Sequence, residues 1–186
     1  MNKSKAGATF AFVGAVIAVI ALAGFIAFGG SNSTQPDPVA ADAPATALTG
    51  PPAPTGQFEF LEGGTGTLAD FQGRPVVVNF FADWCPACVV ELPDFQAVHE
   101  EFGEDVVFLG LDRSTSNDGA RALLAKTGVS YDVALDRDGA FFLAFEGFAM
   151  PTTVFISADG RIVDRHNGVI FEADLRERIE GLIPEA

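Results

Sequence analysis

The pattern of hydrophobic and polar positions divides the chain into an apolar N-terminal stretch, a proline-rich stretch and a C-terminal part with mixed elements. In the C-terminal part, the run Val76–Phe81 is rich in β-branched and aromatic residues, which predicts a buried strand. Apolar residues then recur at helical spacing, at Val89, Leu92, Phe95, Val98 and Phe102. The folded part is therefore predicted to begin with a strand and an amphipathic helix.

The remaining elements follow from the same kind of pattern. We predict a strand at Val106–Leu111, a helix at Asn117–Thr127 that ends at Gly128, a short helix at Ala140–Phe145, strands at Thr152–Ile156 and Arg161–Arg165 joined through Asp159-Gly160, and a last helix from Glu172. Strand–helix–strand units imply parallel pairing, and the hairpin adds an antiparallel edge. The predicted fold class is therefore α/β with a mixed sheet.

The apolar N-terminal stretch, Ala6–Phe28, carries no charge and follows Lys3 and Lys5. As a helix it would span about 34 Å, which is enough to cross a hydrocarbon core of about 30 Å. We predict one transmembrane helix over 6–28, with residues 1–5 in the cytoplasm and the C-terminal part on the extracytoplasmic side of the cell membrane. The alternative is a cleaved signal peptide, whose apolar region is normally shorter.

Residues 31–56 form the proline-rich stretch, with six prolines and no aromatic residue. Such a composition cannot bury enough apolar surface to fold, and its prolines favour extended conformations. We predict a semi-rigid linker over 31–56 and a single folded domain over 57–186.

Charge and cysteine content narrow the classes of function. The formal net charge of −14 argues against nucleic-acid binding, which needs cations to replace the counterions of phosphate. The chain has two cysteines, so it is not a scaffold of several disulfides. His99 and His166 are predicted to be surface residues rather than metal ligands, and no metal or cofactor is expected.

The two cysteines, Cys85 and Cys88, lie between the first strand and the first helix, separated by Pro86 and Ala87. At a helix N-terminus, unpaired backbone N–H groups and the helix dipole stabilise a thiolate and lower the thiol pKa. A disulfide between these two residues closes a very short loop, so it would stabilise the fold little. The spacing therefore favours redox chemistry over a structural role.

Several segments together resemble the thioredoxin superfamily, and within it the membrane-anchored TlpA/ResA/DsbE (CcmG) group of thiol–disulfide oxidoreductases. The segments are GRPVVVNFF at 73–81, WCPAC at 84–88, ELP at 91–93, MPTTVFI at 150–156 and DGRI at 159–162. The similarity covers Phe58 to Ile183. It implies a thioredoxin-like fold, a central mixed sheet flanked by helices, with the group's extra helix and strand between Asn117 and Phe145.

The resemblance also assigns roles to residues. It implies that Cys85 is the attacking thiolate and Cys88 the resolving thiol, and that their disulfide is redox-active. It implies a cis proline at Pro151 that faces the disulfide, with Met150 offering its backbone to a bound partner. The other residues of the predicted site are Thr152 in the proline loop and Trp84, Pro86 and Ala87 on the surface around the cysteines.

Glu91 lies three residues after Cys88, on the same face of the predicted helix. The resemblance implies that it exchanges a proton with Cys88; the alternative is a solvated acid in the first turns of the helix. Asn79 stands where thioredoxin has a buried aspartate. Because Asn79 cannot take a proton, acid–base help for Cys88 would come from Glu91 or water.

The expected function is extracytoplasmic disulfide exchange with protein substrates, most simply as a reductant in cytochrome c maturation, with apocytochrome c as substrate and a membrane thiol carrier as electron donor. Two alternatives stay open. The same cysteines could donate a disulfide to secreted proteins, with a membrane oxidase as redox partner, or the domain could be a non-catalytic thioredoxin-like binding module.

Overall fold

A computed structural model describes residues 50–183, in which seven strands form one sheet in the order β2-β1-β5-β4-β3-β6-β7. The strands are β1 (Gln57–Phe60), β2 (Thr65–Thr67), β3 (Val76–Phe81), β4 (Val107–Asp112), β5 (Asp132–Leu135), β6 (Thr152–Ile156) and β7 (Ile162–Asn167). The helices are α1 (Pro86–Phe102), α2 (Asn117–Thr127), α3 (Ala140–Ala144) and α4 (Glu172–Glu180), with a 3-10 turn at Leu68–Phe71.

The centre of the sheet is mixed, as the element order predicts. Strand β3 pairs in parallel with β4 and antiparallel with β6, so that Asn79 lies between Gly110 and Thr153. Strand β5 extends the parallel part, and β7 forms the antiparallel hairpin with β6. The thioredoxin-like α/β fold is confirmed.

Side chains of β3 alternate between two cores on opposite faces of the sheet. On one face, Val78 and Phe80 pack in a cluster that includes Phe142 of α3. On the other face, Val77 packs with apolar residues of α1 and α4, and Phe81 packs with residues of α1 and α2. Asn79 belongs to this second face, which carries α1, and it is 1% exposed.

Most predicted elements are present with their predicted limits, and the differences are small. The strands observed at Val107–Asp112 and Ile162–Asn167 begin one residue later than predicted and extend further. The short helix ends at Ala144. Gly128 ends α2 in the left-handed conformation with φ of 79°, as a C-terminal glycine does.

Three strands were not predicted from the hydrophobic pattern: β1, β2 and β5. They have four, three and four residues, too few for a periodic pattern to be distinctive. The resemblance implied an extra helix and strand between Asn117 and Phe145, and α2 and β5 lie in that part of the chain.

The end of the predicted linker 31–56 is in contact with the folded domain. Pro52 bridges Arg161 in an antiparallel sense, and the backbone N–H of Ala53 donates to Gly160 across 2.9 Å. The N–H of Ile162 donates to the carbonyl of Pro51 at the same distance of 2.9 Å. These contacts arise because β7 is an edge strand with open backbone groups, so the folded unit begins before Gln57.

The predicted transmembrane helix over 6–28 lies outside the described residues. Within residues 50–183, no helix combines the length and the hydropathy needed to cross a membrane.

Candidate functional site

The two cysteines form a disulfide at the N-terminus of α1, with an S–S distance of 2.07 Å. Cys85 is the N-cap residue, and its Sγ accepts the backbone N–H of Cys88 across 3.1 Å. Pro86 occupies the first turn, where a missing N–H leaves no bond unmade. An N–H directed at Sγ of Cys85 would also stabilise a thiolate there once the disulfide is reduced.

The loop before β6 lies beside the disulfide. The Met150–Pro151 peptide bond is cis, the geometry that the resemblance implied, and Met150 packs against the cluster that contains Cys85 and Cys88. The carbonyl of Pro151 accepts the N–H of Gly168 across 2.8 Å. Thr152 is buried and its hydroxyl donates to the carbonyl of Ala149 at 2.6 Å. The side chain of Thr152 therefore stabilises the loop and is not exposed to a bound substrate.

Glu91 is fully buried in the first turns of α1, so the alternative of a solvated acid is wrong. Its Oε1 accepts from Nδ2 of Asn79 across 2.9 Å, and its Oε2 accepts from the backbone N–H of Ile170 across 3.1 Å. Burial raises the pKa of Glu91 to about 8, and the nearby charge of Asp94 adds to this, while the two hydrogen bonds lower it. At neutral pH the side chain therefore holds a proton when the disulfide is formed.

The turn before Cys85 is fastened to the end of β4. The backbone N–H of Asp83 donates to Oγ of Ser114 across 2.8 Å, and Oγ of Ser114 donates to Oδ1 of Asp112 across 2.5 Å. Asp112 is fully buried and pairs with Arg137 at 3.0 Å. Arg137 also donates to the carbonyl of Ser114. We call these three residues (Asp112, Ser114 and Arg137) the β4 bracket. Their hydrogen bonds hold the turn before Cys85 in place.

The surface around the disulfide is apolar and exposed. Trp84 is 54% exposed, and its Nε1 donates to the carbonyl of Arg113 across a long 3.4 Å. Phe148, two residues before Met150 in the chain, is 80% exposed. Pro86 is exposed and Ala87 is half-buried. An exposed aromatic side chain such as Trp84, directly before the reactive Cys85, is typical of a surface that binds a partner.

The two histidines lie away from the disulfide. The ring of His99 is half-buried against Phe108 and Tyr131, at centroid distances of 5.2 and 5.5 Å, so its prediction as a surface residue is only partly right. Burial lowers the pKa of His99. Nε2 of His166 lies 3.1 Å from the carbonyl of Val169. In the part of the chain that the structure describes, no three His, Cys, Asp or Glu side chains converge as metal ligands would.

The β4 bracket and the contact of Glu91 with Ile170 were not predicted from the sequence. A signal for the bracket exists, because polar side chains at the carboxyl end of a parallel strand often line a site. The contact with Ile170 joins residues 79 positions apart and leaves no local pattern.

Comparison with known proteins gives the same class of protein as the site. The Redoxin family model matches residues 48–179, and the chain belongs to this family. A thiol:disulfide interchange protein DsbE of Pseudomonas fluorescens biotype C is 33% identical over 145 residues, which cover 75% of this chain and 80% of that protein. A thiol-disulfide oxidoreductase ResA of Bacillus thuringiensis subsp. konkukian is 26% identical over 136 residues, covering 73% and 79%.

A solved structure agrees with these relatives. The secreted disulfide oxidoreductase of Mycobacterium tuberculosis, described as homologous to E. coli DsbE, superimposes with a TM-score of 0.64 at 25% identity, covering 68% of this chain and 96% of that one. The predictions of a ResA/DsbE-like protein and of an enzyme of the thiol-disulfide oxidoreductase class are therefore confirmed.

Proposed function

We propose that this protein exchanges disulfides with protein substrates through Cys85 and Cys88, on the extracytoplasmic side of a membrane to which 6–28 anchors it. One observation carries the proposal. The Cys85–Cys88 disulfide lies at the N-terminus of α1, with the buried carboxyl of Glu91 on the same face of the helix, one turn beyond Cys88.

In the reducing direction, two electrons pass from the dithiol to a substrate disulfide. The thiolate of Cys85 attacks one substrate sulfur, the substrate S–S bond breaks, and the other substrate sulfur leaves as a thiolate. Cys88 then loses its proton and attacks Sγ of Cys85. The mixed disulfide breaks, the second substrate thiolate leaves, and the Cys85–Cys88 bond forms.

Glu91 donates a proton to Cys88 when the disulfide is reduced and accepts it when the disulfide forms. When a donor reduces the disulfide, Cys88 leaves as a thiolate, and the proton that Glu91 holds in the oxidised protein can pass to it. In the reverse step, the Glu91 carboxylate takes the proton as Cys88 attacks. A carboxyl with a pKa of about 8 is suited to both steps, because both protonation states are accessible near neutral pH.

We infer that the physiological direction is reduction, with apocytochrome c as a substrate and a membrane thiol carrier as electron donor. The relatives named ResA and DsbE and the resemblance to their group support this inference. The competing function is disulfide donation to secreted proteins, which needs the same residues and differs in the relative stability of the two redox states.

The reduction potential of the full-length protein in detergent micelles tests the direction. Trp84 is the one tryptophan in the chain, so its fluorescence reports the redox state of the neighbouring disulfide during equilibration with thiol buffers. A value near that of thioredoxin, about −270 mV, supports a reductant, whereas a value near that of DsbA, about −120 mV, supports an oxidant. Absence of a reversible two-electron couple would overturn the enzymatic function itself.

A trapping experiment identifies the partners. Cys88→Ser leaves Cys85 able to attack but unable to be resolved, so mixed disulfides with substrates should accumulate and disappear on addition of dithiothreitol. Cys85→Ser is the matched control and should trap far less. Equal trapping by the two variants would contradict Cys85 as the attacking thiol, and no trapping at all would favour the non-catalytic binding module.

The side of the membrane is open to a direct test. Cys85 and Cys88 are the only cysteines, so a membrane-impermeant maleimide labels the protein in intact, mildly reduced cells only if the domain is outside. Permeabilised cells give the full signal for comparison. Labelling that requires permeabilisation would contradict the proposed location. The mass of the purified protein separates a retained anchor from a cleaved signal peptide.

A further inference from the structure

The side chain of Asn79 lies between β3 and α1 with one polar atom satisfied and the other not. Its Nδ2 donates to Oε1 of Glu91 across 2.9 Å and lies 3.4 Å from Oγ1 of Thr153. Its Oδ1 is buried and, among residues 50–183, has no hydrogen-bond partner. A buried amide oxygen without a partner costs free energy, so its position in the core calls for an explanation.

Both oxygens of Glu91 accept from an N–H group: Oε1 from Asn79 and Oε2 from Ile170. This arrangement suits a carboxylate. When Glu91 is protonated, its new O–H group needs an acceptor, and both of the polar groups bonded to the carboxyl are donors. The backbone N–H of Ile170 cannot turn, whereas the amide of Asn79 can rotate about its Cβ–Cγ bond.

A half-turn of that amide provides the acceptor that a protonated Glu91 lacks. It places Oδ1 where Nδ2 was, within reach of the Oε1–H of Glu91 and of the hydroxyl of Thr153, which can then donate to it. Oδ1 then has partners, and Nδ2 takes the position that has none, so the two orientations differ in which protonation state of Glu91 they match. A carboxylate or an apolar side chain at position 79 cannot exchange a donor for an acceptor at the same place.

We propose that Asn79 is a positioning residue whose amide turns with the protonation state of Glu91, so that one side chain holds the carboxyl in place both before and after it transfers its proton. The inference rests on the proposed function, because it gives a structural basis for the proton exchange between Glu91 and Cys88. It also gives a reason for asparagine at a position where thioredoxin has a titratable aspartate.

The effect of Glu91 on the orientation of Asn79 has to be distinguished from that of other titratable groups nearby. On α1 the neighbours are Cys88, which does not titrate in the disulfide, and Asp94, whose Oδ2 accepts the N–H of Glu172. From β6 the neighbour is Thr153, which does not titrate. Before β5, burial raises the pKa of Tyr131 well above its usual range, so its phenol stays neutral. On β7, His166 lies in register with Thr153 on the same face of the sheet. A reorientation of Asn79 between pH 6 and 10 that Glu91→Gln abolishes therefore reports on Glu91.

The test is an NMR titration of the oxidised full-length protein in micelles, labelled with 15N at asparagine and 13C at glutamate carboxyls. Asn79→Leu assigns the Asn79 amide signals by their loss. We expect contacts between the Nδ2 protons of Asn79 and the side chain of Thr153 at high pH, and their loss at low pH. The midpoint should coincide with that of the Glu91 carboxyl signal.

Glu91→Gln is the matched control, because it keeps the size of the side chain and removes the titration. In this variant the orientation of Asn79 should not change with pH. Thr153→Val should leave the pH-dependent turn intact, since Glu91 drives it. An Asn79 amide that keeps one orientation while Glu91 titrates would overturn the inference.

Failure of this inference is distinguishable from failure of the proposed function. If Glu91 shows no titration between pH 5 and 10, the role of Asn79 is overturned. Disulfide exchange through Cys85 and Cys88 would still stand or fall on the trapping experiment and the reduction potential, neither of which depends on the amide.

Discussion

The backbone N–H of Ile170 donates to Oε2 of Glu91, which joins the first turns of α1 to the loop that leads into α4. One turn further, Oδ2 of Asp94 accepts the N–H of Glu172 across 3.1 Å. The N-cap residue of α4 is Phe171, which has no side-chain capping bond. Two carboxyl groups of α1 therefore provide what a capping side chain would otherwise supply to the start of α4.

Glu91 should make stability depend on pH. The folded, oxidised protein holds the Glu91 proton up to about pH 8, whereas the unfolded chain releases it near 4.5. Between these values the unfolded state binds fewer protons, so the free energy of unfolding falls as pH rises, on the order of 1 kcal/mol per pH unit. Above the folded pKa this loss is complete. Glu91→Gln removes the dependence.

Denaturant unfolding at a series of pH values checks this expectation. Relative to Glu91→Gln, the free energy of unfolding of the wild type should decrease from about pH 5 to 8 and then stay constant. Glu104→Gln, at an exposed acid after α1, should give a curve parallel to the wild type. Parallel curves for Glu91→Gln would show that the folded protein does not hold this proton.

Ser114→Ala should loosen the turn that carries Trp84 and Cys85. The substitution leaves the N–H of Asp83 and one oxygen of buried Asp112 without the hydroxyl that joins them, at a cost of about 1–3 kcal/mol. We expect a lower melting temperature and a changed Trp84 fluorescence spectrum in the oxidised state. Thr115→Ala, at the exposed neighbouring hydroxyl, should leave both unchanged; equal effects would contradict the role of the β4 bracket.

Gly119→Ala in α2 separates helix propensity from tertiary contact. Alanine favours a helix over glycine by about 1 kcal/mol, which alone predicts stabilisation. In this structure, however, the added Cβ would overlap Oδ2 of Asp83, which must move away from α2. Because Asp83 is exposed, its side chain can turn aside, so we expect a gain in unfolding free energy smaller than about 1 kcal/mol and a shift in Trp84 fluorescence. Gly181→Ala, whose Cβ meets its nearest atom at 3.5 Å, is the control and should not alter the fluorescence.

Phe148→Ala should weaken substrate binding and leave the disulfide chemistry intact. The side chain is 80% exposed, so its removal should not reduce stability. If it contacts the substrate, KM for a disulfide-containing protein should rise roughly fivefold, which corresponds to about 1 kcal/mol of lost apolar contact. The reduction potential should not change. Leu143→Ala, at an exposed apolar residue of α3, is the control, and an equal rise in KM there would contradict a specific role for Phe148.

The sequence predicted the elements whose pattern is long and regular, and the disulfide site between two of them. Strand β3 and helix α1 were predictable from their own residues alone. Strand β2 has only three residues, and its place depends on pairing with β1. Likewise, the burial of Glu91 fits the spacing of Cys88, Leu92 and Phe95, but what satisfies its carboxyl comes from Asn79 and Ile170.

The hydrogen bond from the N–H of Ile162 to the carbonyl of Pro51 also bears on the tendency of the protein to aggregate. An open edge strand offers unpaired backbone groups to which an unfolded polypeptide can add as a further strand, the usual start of aggregation. Where β7 begins, the neighbouring segment contains Pro51, Pro52 and Pro54, none of which has an N–H to donate onward. A domain proposed to exchange disulfides with protein substrates thus begins its edge strand β7 beside a segment whose prolines donate no hydrogen bond to a further strand.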